Sequence, residues 1–384
     1  MAAIIAAISA AIMRYIYQLK AWPKLTWDRE ALSYPLADVR HKQGKLLGQM
    51  EALGFPLRRE ASLVVLTSDV VKSSAIEGET LDPEEVRSSI ARRLGLDVGG
   101  VSRGARDVEG IVEMMLDATS KFDEPLTDRR LFGWHTALFP TGRSGMSQIA
   151  VGMWRPEEAG DMKVVSGPLG RERVHFEAPE AKRLDIEMQA FLEWFNRPSA
   201  IDPVLKAGVA HLWFVTIHPF EDGNGRIARA IADMALARAD RTSDRFYSMS
   251  SQLAADRKEY YRELELAQRG ELDITRWLTW FLSCLDRAIE NVGQLLGGVI
   301  RKAELWSRIN LIPVNERQRL VINRMLDDFQ GFLTNSKYAK LAKCSSDTAL
   351  RDIRELVVRN ILRPNEHGGR STSYRLAEPD ERRE

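Results

Sequence analysis

Apolar residues recur at helical spacing through almost the whole chain, and that period limits what it can fold into. From Leu36 to Leu53 they fall at Leu36, Val39, Leu46, Leu47, Met50 and Leu53, steps that place one apolar stripe on a helix. A second helix is predicted over Arg59 to Ile76, halting at Glu77-Gly78. Asp82-Pro83-Glu84-Glu85 then supplies an N-cap, a first-turn proline and acidic first-turn residues for a helix to about Leu94. Gly99, Gly100 and Gly104 mark a loop, and helices are predicted again over Pro179–Asn196, Pro203–Ile217, Gly225–Asp240, Ala255–Gln268 and Ile274–Leu296. One stretch breaks the pattern. Met162-Lys-Val-Val-Ser-Gly and Arg173-Val-His-Phe are short β-favouring runs flanking Gly167-Pro-Leu-Gly170, which reads as a hairpin inside an otherwise helical protein.

A chain of 384 residues has room for two or three such cores. Its net charge of +1 argues against a general polyanion binder, while leaving room for a local basic patch. The two cysteines, Cys284 and Cys344, lie far apart, so neither a disulfide framework nor a thiolate zinc site is expected, which fits a cytoplasmic protein. Residues Met1 to Met13 are apolar and uncharged, too short to span a bilayer and without a leading positive segment. They read as a short N-terminal helix or as residues preceding an initiator at Met13, and no membrane role is expected.

The tail from Pro313 to Leu376 reads as a small separate domain. Helices over Asn315–Asp328, Thr334–Leu341 and Asp347–Arg359 precede strands at Ile361-Leu-Arg-Pro and Ser373-Tyr-Arg-Leu, joined by a Gly368-Gly369 turn. This is the order of a helix-turn-helix with a two-stranded wing. Its 12 Lys and Arg against 7 Asp and Glu give a net charge of +5. Lys337, Lys340, Lys343, Arg351 and Arg354 are the residues that would meet DNA phosphates; protein docking or homodimer formation is the alternative use of such a module.

The densest chemistry lies in His218-Pro-Phe-Glu-Asp-Gly-Asn-Gly-Arg-Ile-Ala-Arg229. Gly223 and Gly225 free the backbone to turn sharply and expose successive N–H groups at the start of the next helix. Together these form an anion nest suited to phosphate oxygens. Arg226 and Arg229, three apart, leave one face of that helix and point to a polyphosphate ligand. Asp222 at the mouth of the nest is placed to hold a phosphate-bridging Mg²⁺. His218 has a side chain suited to taking a proton from an attacking hydroxyl near neutral pH.

The stretch His218-x-Phe220-x-Asp222-Gly-Asn-Gly-Arg226-x-x-Arg229 resembles the full signature of Fic-family AMP transferases. The resemblance implies ATP and Mg²⁺ as cofactors, with His218 as general base and Asp222 as metal ligand. It makes Asn224 a phosphate contact and Phe220 a packing anchor. Arg226 and Arg229 would hold the β- and γ-phosphates. Gly225 stands where related kinases carry a lysine, which favours AMP transfer over phosphate transfer. The hairpin at about 160–177 matches the family's flap, whose strand, here Lys163, Val164 and Val165, would dock a target protein by strand addition. Tyr260-Tyr261 and Gln268 are similar to the residues that border adenosine. Ser73-Ser-Ala-Ile-Glu77-Gly78 resembles the family's inhibitory motif, in which Glu77, with Ser73, would occupy Arg229 in place of a phosphate. Some family members also use this glutamate in removing AMP.

The expected fold is therefore mostly α: a Fic-type helical bundle with a short β-hairpin flap, followed by a C-terminal winged helix-turn-helix. The expected division is an N-terminal helical region at 1–100, a catalytic domain at 101–300 and a winged-helix domain at 313–384. The expected activity is transfer of AMP from ATP to a Ser, Thr or Tyr hydroxyl of target proteins. Two alternatives stand beside it: a DNA-bound regulator that senses ATP, and a phosphoryl or phosphocholine transferase on the same scaffold.

Overall fold

The computed structural model describes residues 15–96, 106–167, 171, 173–309, 313–326, 329, 331–365 and 372–377. The apolar run at 1–13, the glycines at 99, 100 and 104 and the Gly368-Gly369 turn lie outside the described residues. Two compact units divide the chain, 1–292 and 293–384.

The first unit is built on α1 (Arg29–Glu51), α2 (Phe55–Ile76), α3 (Pro83–Arg93), α4 (Arg106–Ser120), α5 (Asp128–Leu138), α6 (Leu184–Asn196), α7 (Pro203–Ile217), α8 (Asn224–Asp240), α9 (Met249–Ala255), α10 (Arg257–Arg269) and α11 (Thr275–Glu290). Two antiparallel hairpins interrupt them, β1 (Arg143–Ser144) with β2 (Ser147–Gln148), and β3 (Lys163–Ser166) with β4 (Arg173–Glu177). At the centre α7 packs along α8. α7 is apolar on nearly every face and buried along its length, the pattern of a core helix. Its start is set by Asp202, whose carboxylate accepts the Val204 N–H at 2.8 Å, and by Pro203 in the first turn. α4, α5, α6, α10 and α11 pack around this pair.

α2 lies against α8 and α9 and is braced by buried hydrogen bonds. Asp69, Ser73 and Glu77 follow at steps of four on one face of α2. Asp69 accepts the Ser248 hydroxyl and the Ser250 N–H. Nearby, the fully buried Arg245 donates to Asp233 at 3.2 Å and Asp240 at 3.1 Å. Burial, with Asp233 close by, raises the Asp69 carboxyl far above the usual carboxylate range, so it keeps its proton at neutral pH.

Several boundaries differ from the sequence expectation. α1 starts at Arg29, seven residues before Leu36, because Asp28 caps it through the Glu30 and Ala31 N–H groups and the helix carries Pro35 inside it. The helix predicted over Ala255–Gln268 is α10, starting two residues later at Arg257, while α9 before it, capped by Ser248 through the Ser251 N–H, has no counterpart in the sequence expectation. α11 ends at Glu290 rather than Leu296. Helices α4 and α5 and hairpin β1–β2 have no counterpart in the sequence expectation.

The second unit takes α12 (Val292–Ile309) from Gly293 onward, then α13 (Glu316–Leu326), β5 (Leu333–Thr334), α14 (Asn335–Leu341), α15 (Ser346–Val358), β6 (Leu362–Pro364) and β7 (Ser373–Leu376). The sheet has three antiparallel strands in the order β5-β7-β6, one more than expected. Val321, Ile322, Leu333, Tyr338, Ile353 and Leu356 are core residues here. Among the described residues no helix is long and apolar enough to cross a membrane.

Candidate active site

α7 ends at His218, whose backbone adopts the left-handed conformation with φ of 53°, rare for a residue with a side chain. Two contacts hold it there: its N–H donates to Phe214 O at 3.0 Å, and Arg155 Nε donates to its carbonyl at 2.9 Å. Arg155 is itself buried and also binds the Pro179 carbonyl. The half-buried imidazole lies with Nδ1 3.2 Å from the Val215 carbonyl. A carbonyl only accepts, so Nδ1 carries the hydrogen and Nε2 is left with the lone pair. Burial pushes the ring's pKa down to about 4, so the imidazole is neutral and able to accept a proton at physiological pH.

The loop from Pro219 to Gly223 is pinned from several sides. Phe220 is fully buried and stacks on His135, with ring centroids 4.1 Å apart and planes 15° apart. His135 accepts the Gly152 N–H at Nδ1 (3.3 Å), which leaves Nε2 to donate to the Asp222 carbonyl at 3.2 Å. Its pKa is lowered to about 4 by burial. Asn224 clasps Phe220 in both directions, accepting its N–H at 2.9 Å and donating to its carbonyl at 2.8 Å. The side chain expected to touch phosphate thus has its carbonyl and one amide hydrogen engaged within the loop. Gly223 sits at φ 80°, and a Cβ there would meet the Phe139 ring at 2.9 Å, so both conformation and space call for glycine.

α8 begins at Asn224 with no side-chain cap on its first N–H groups. Asp222 holds Gly223 N–H at 2.5 Å through Oδ1 and accepts the Ser144 hydroxyl through Oδ2. Each oxygen keeps a further lone pair, and one carboxylate together with ligand phosphates is a usual donor set for Mg²⁺. Arg226 and Arg229 are buried, at 5% and 2% exposure. Arg226 Nε and Arg229 Nη1 are buried without a hydrogen-bond partner among the described residues. Buried guanidinium donors of this kind, beside an uncapped helix start, fit a polyphosphate.

Both arginines face carboxylates from the turn after α2. Glu77 Oε1 accepts from Arg229 Nη2 at 2.8 Å, and Ser73 accepts from the same guanidinium at its hydroxyl (2.9 Å) and carbonyl (3.0 Å). Burial opposes the charge on Arg229, but Glu77 together with Tyr260 and Tyr261 raises its pKa above the ordinary value. Gly225 lies directly beneath: a Cβ there would stand 2.3 Å from Glu77 Oε1. Glu79 takes Arg226.

Tyr261 is partly exposed, with its hydroxyl 3.5 Å from Glu77 Oε2 and 3.4 Å from Ile76 O. Tyr260 is buried, with its hydroxyl 2.8 Å from His211 Nε2. Gln268 is also buried, 3.5 Å from Thr216 Oγ1 on α7. In the hairpin, Lys163 pairs with Glu177, Val164 with Phe176 and Val165 with Val174, and the Phe176 ring is 6.5 Å from that of His218. Arg269 donates to the Val174 and His175 carbonyls, which occupies the β4 side. β3 has no other strand partner among the described residues.

His135, Ser144, Arg155 and Glu79 were not singled out from the sequence. A lone histidine, serine or arginine carries no spacing signal. Glu79, two residues past Glu77, was the one within reach.

Residues 125–236 match the Fic/DOC family, and residues 15–96 match a domain of unknown function, DUF4172. The protein adenylyltransferase Fic of Drosophila willistoni is 27% identical over 266 residues, covering 66% of this chain and 47% of that protein. Its Drosophila virilis counterpart is 26% identical over 243 residues, 60% of this chain and 44% of that protein. The chain thus spans less than half the length of these curated relatives. Among solved structures, a Fic family protein from Desulfovibrio desulfuricans G20 superposes with a TM-score of 0.56 at 19% identity, covering 96% of this chain and 100% of that one. A Fic domain containing signaling protein from Bacteroides thetaiotaomicron VPI-5482 gives 0.51 at 19% identity, over 68% and 97%. These likenesses show the shared fold, and with the sequence match they establish that this chain carries a Fic/DOC family domain.

Proposed function

We propose that this chain transfers AMP from ATP to hydroxyl side chains of target proteins, and that Glu77 restrains the reaction. The observation that carries this reading is a neutral His218, with its Nε2 lone pair free, beside a glycine nest with two buried arginines. When bound, Mg²⁺·ATP supplies the AMP group and the pyrophosphate leaving group. Gly223, Gly225 and the first N–H groups of α8 would cradle its phosphates, Arg226 and Arg229 would hold the outer ones, and Asp222 would hold the metal. His218 would accept the proton of the incoming hydroxyl. The free edge of β3 would take an extended target segment as an added strand, with Tyr261 and Gln268 beside the nucleotide. Glu77 on Arg229 supports the brake, because the guanidinium it holds is one a phosphate needs.

Labelled ATP tests the reaction class. Transfer of label from the α position and not the γ position supports AMP transfer; transfer from γ alone would make this a kinase and overturn the proposal. A second reading concerns the C-terminal unit as a winged helix. Arg351 and Arg354 are exposed on α15, which favours contact with DNA phosphates over a purely structural role.

A further inference from the structure

The turn that ends α2 presents a second carboxylate. Both oxygens of Glu79 accept from Arg226 Nη1, at 2.9 and 2.7 Å. Arg226 is 5% exposed and lies over the Phe139 ring at 5.1 Å, so little water reaches its charge. The backbone explains the pairing. Gly78 N–H donates to Ala75 O and Glu79 N–H to Ser74 O, both at 3.1 Å, with Gly78 at φ 88°. This is a glycine-ended helix stop that folds the chain back on itself. Glu77 and Glu79 flank the glycine, and they meet Arg229 and Arg226, neighbours one turn apart on α8.

We propose that Glu79 is a specificity-determining residue, a second competitor acting at Arg226 as Glu77 acts at Arg229. A phosphate that engages Arg226 has to displace a carboxylate already holding Nη1. Ligands are then opposed according to how far their phosphate chain reaches. With Arg226 at the β position and Arg229 at the γ position, a monophosphate meets neither carboxylate, a diphosphate meets Glu79 and a triphosphate meets both. This rests on the phosphate-pocket reading above, and it is independent of whether Glu77 restrains turnover.

The test is calorimetric binding of AMP, ADP and ATP, each with Mg²⁺, to wild type, Glu79→Gln and Glu77→Gly. Glu79→Gln keeps the shape of the side chain and removes its charge. Because Glu79 is half exposed, the expected gain for ADP and ATP is about three- to five-fold, with AMP unchanged. Glu77→Gly should raise affinity for ATP but not ADP. Unchanged or weakened ADP binding in Glu79→Gln, with Glu77→Gly still raising AMP transfer, overturns the second competitor and leaves the brake standing. Tighter ADP binding in Glu79→Gln, with AMP transfer unmoved in Glu77→Gly, does the reverse.

Discussion

Glu77→Gly should make the protein more active and less stable at once. Arg229 is 2% exposed, and its only carboxylate contact among the described residues is Glu77, at 2.8 Å. A hydrogen bond to a charged group contributes about 1.5–3 kcal/mol. When that competition is removed, the guanidinium is available to a phosphate, and at about 1.4 kcal/mol per decade AMP incorporation should rise roughly ten- to hundred-fold. The same change leaves a buried cation without its partner, so the thermal midpoint of the first unit should fall by several degrees, and saturating ATP should recover much of that loss. α-labelled ATP incorporation and thermal melting, with and without nucleotide, read both effects. Arg229→Ala in the Glu77→Gly background should cancel the gain, a strongly non-additive result expected of residues that share one interaction. Unchanged incorporation in well-folded Glu77→Gly protein would falsify the brake and leave residues 73–78 as an ordinary helix end.

His218→Ala should abolish AMP transfer while nucleotide affinity stays within about two-fold, since the α8 end of the pocket is untouched; transfer at wild-type rate removes His218 from the mechanism. Asp222→Ala should weaken ATP binding in Mg²⁺ far more than in EDTA, and equal loss in both would make Asp222 structural only. His135 and His211 are held neutral by burial, with pKa values lowered to about 4 and about 3. The unfolded chain takes up protons at these sites below about pH 6.5 and the folded chain does not, so stability is full above that pH and lost as it falls towards 4. Melting temperatures that stay flat from pH 7 to pH 5 would contradict this. For the C-terminal unit, duplex binding should weaken steeply with salt and be lost in Arg351→Ala/Arg354→Ala, and absence of any gel shift at low salt would favour protein docking.

Much of the site was legible because its parts are close in sequence. Residues 218–229 hold the proposed base, the proposed metal ligand, the glycine turn and both arginines, and the structure keeps them on one helix end, one loop and one helix start. The apolar length of α7 and the Asp202-Pro203 start likewise read correctly from local pattern alone. The supporting contacts did not. His135 reaches the Asp222 carbonyl across 87 residues, and nothing in Leu-Phe-Gly-Trp-His-Thr distinguishes it from a core histidine. For Asn224 the resemblance implies a phosphate contact, and the clasp its side chain makes on Phe220 is decided by how tightly the loop closes. α9, seven residues long, is too short for apolar spacing to mark it.

The buried polar groups packed against α2 bear on how Glu77 can let go. Sliding the whole helix would pull Asp69 away from Ser248 and Ser250 and disturb the pocket in which Arg245 meets Asp233 and Asp240. Stranding groups of this kind costs several kcal/mol. Turning the Glu77 side chain about its own bonds asks for its contacts with Arg229 and Tyr261 to open. The helix is therefore a fixed post with a movable tip. On the proposed reading of Glu77 as a brake, a signal that frees the site would work on the few residues between Ser74 and Asp82, and a partner gripping the far end of α2 would leave the tip where it is.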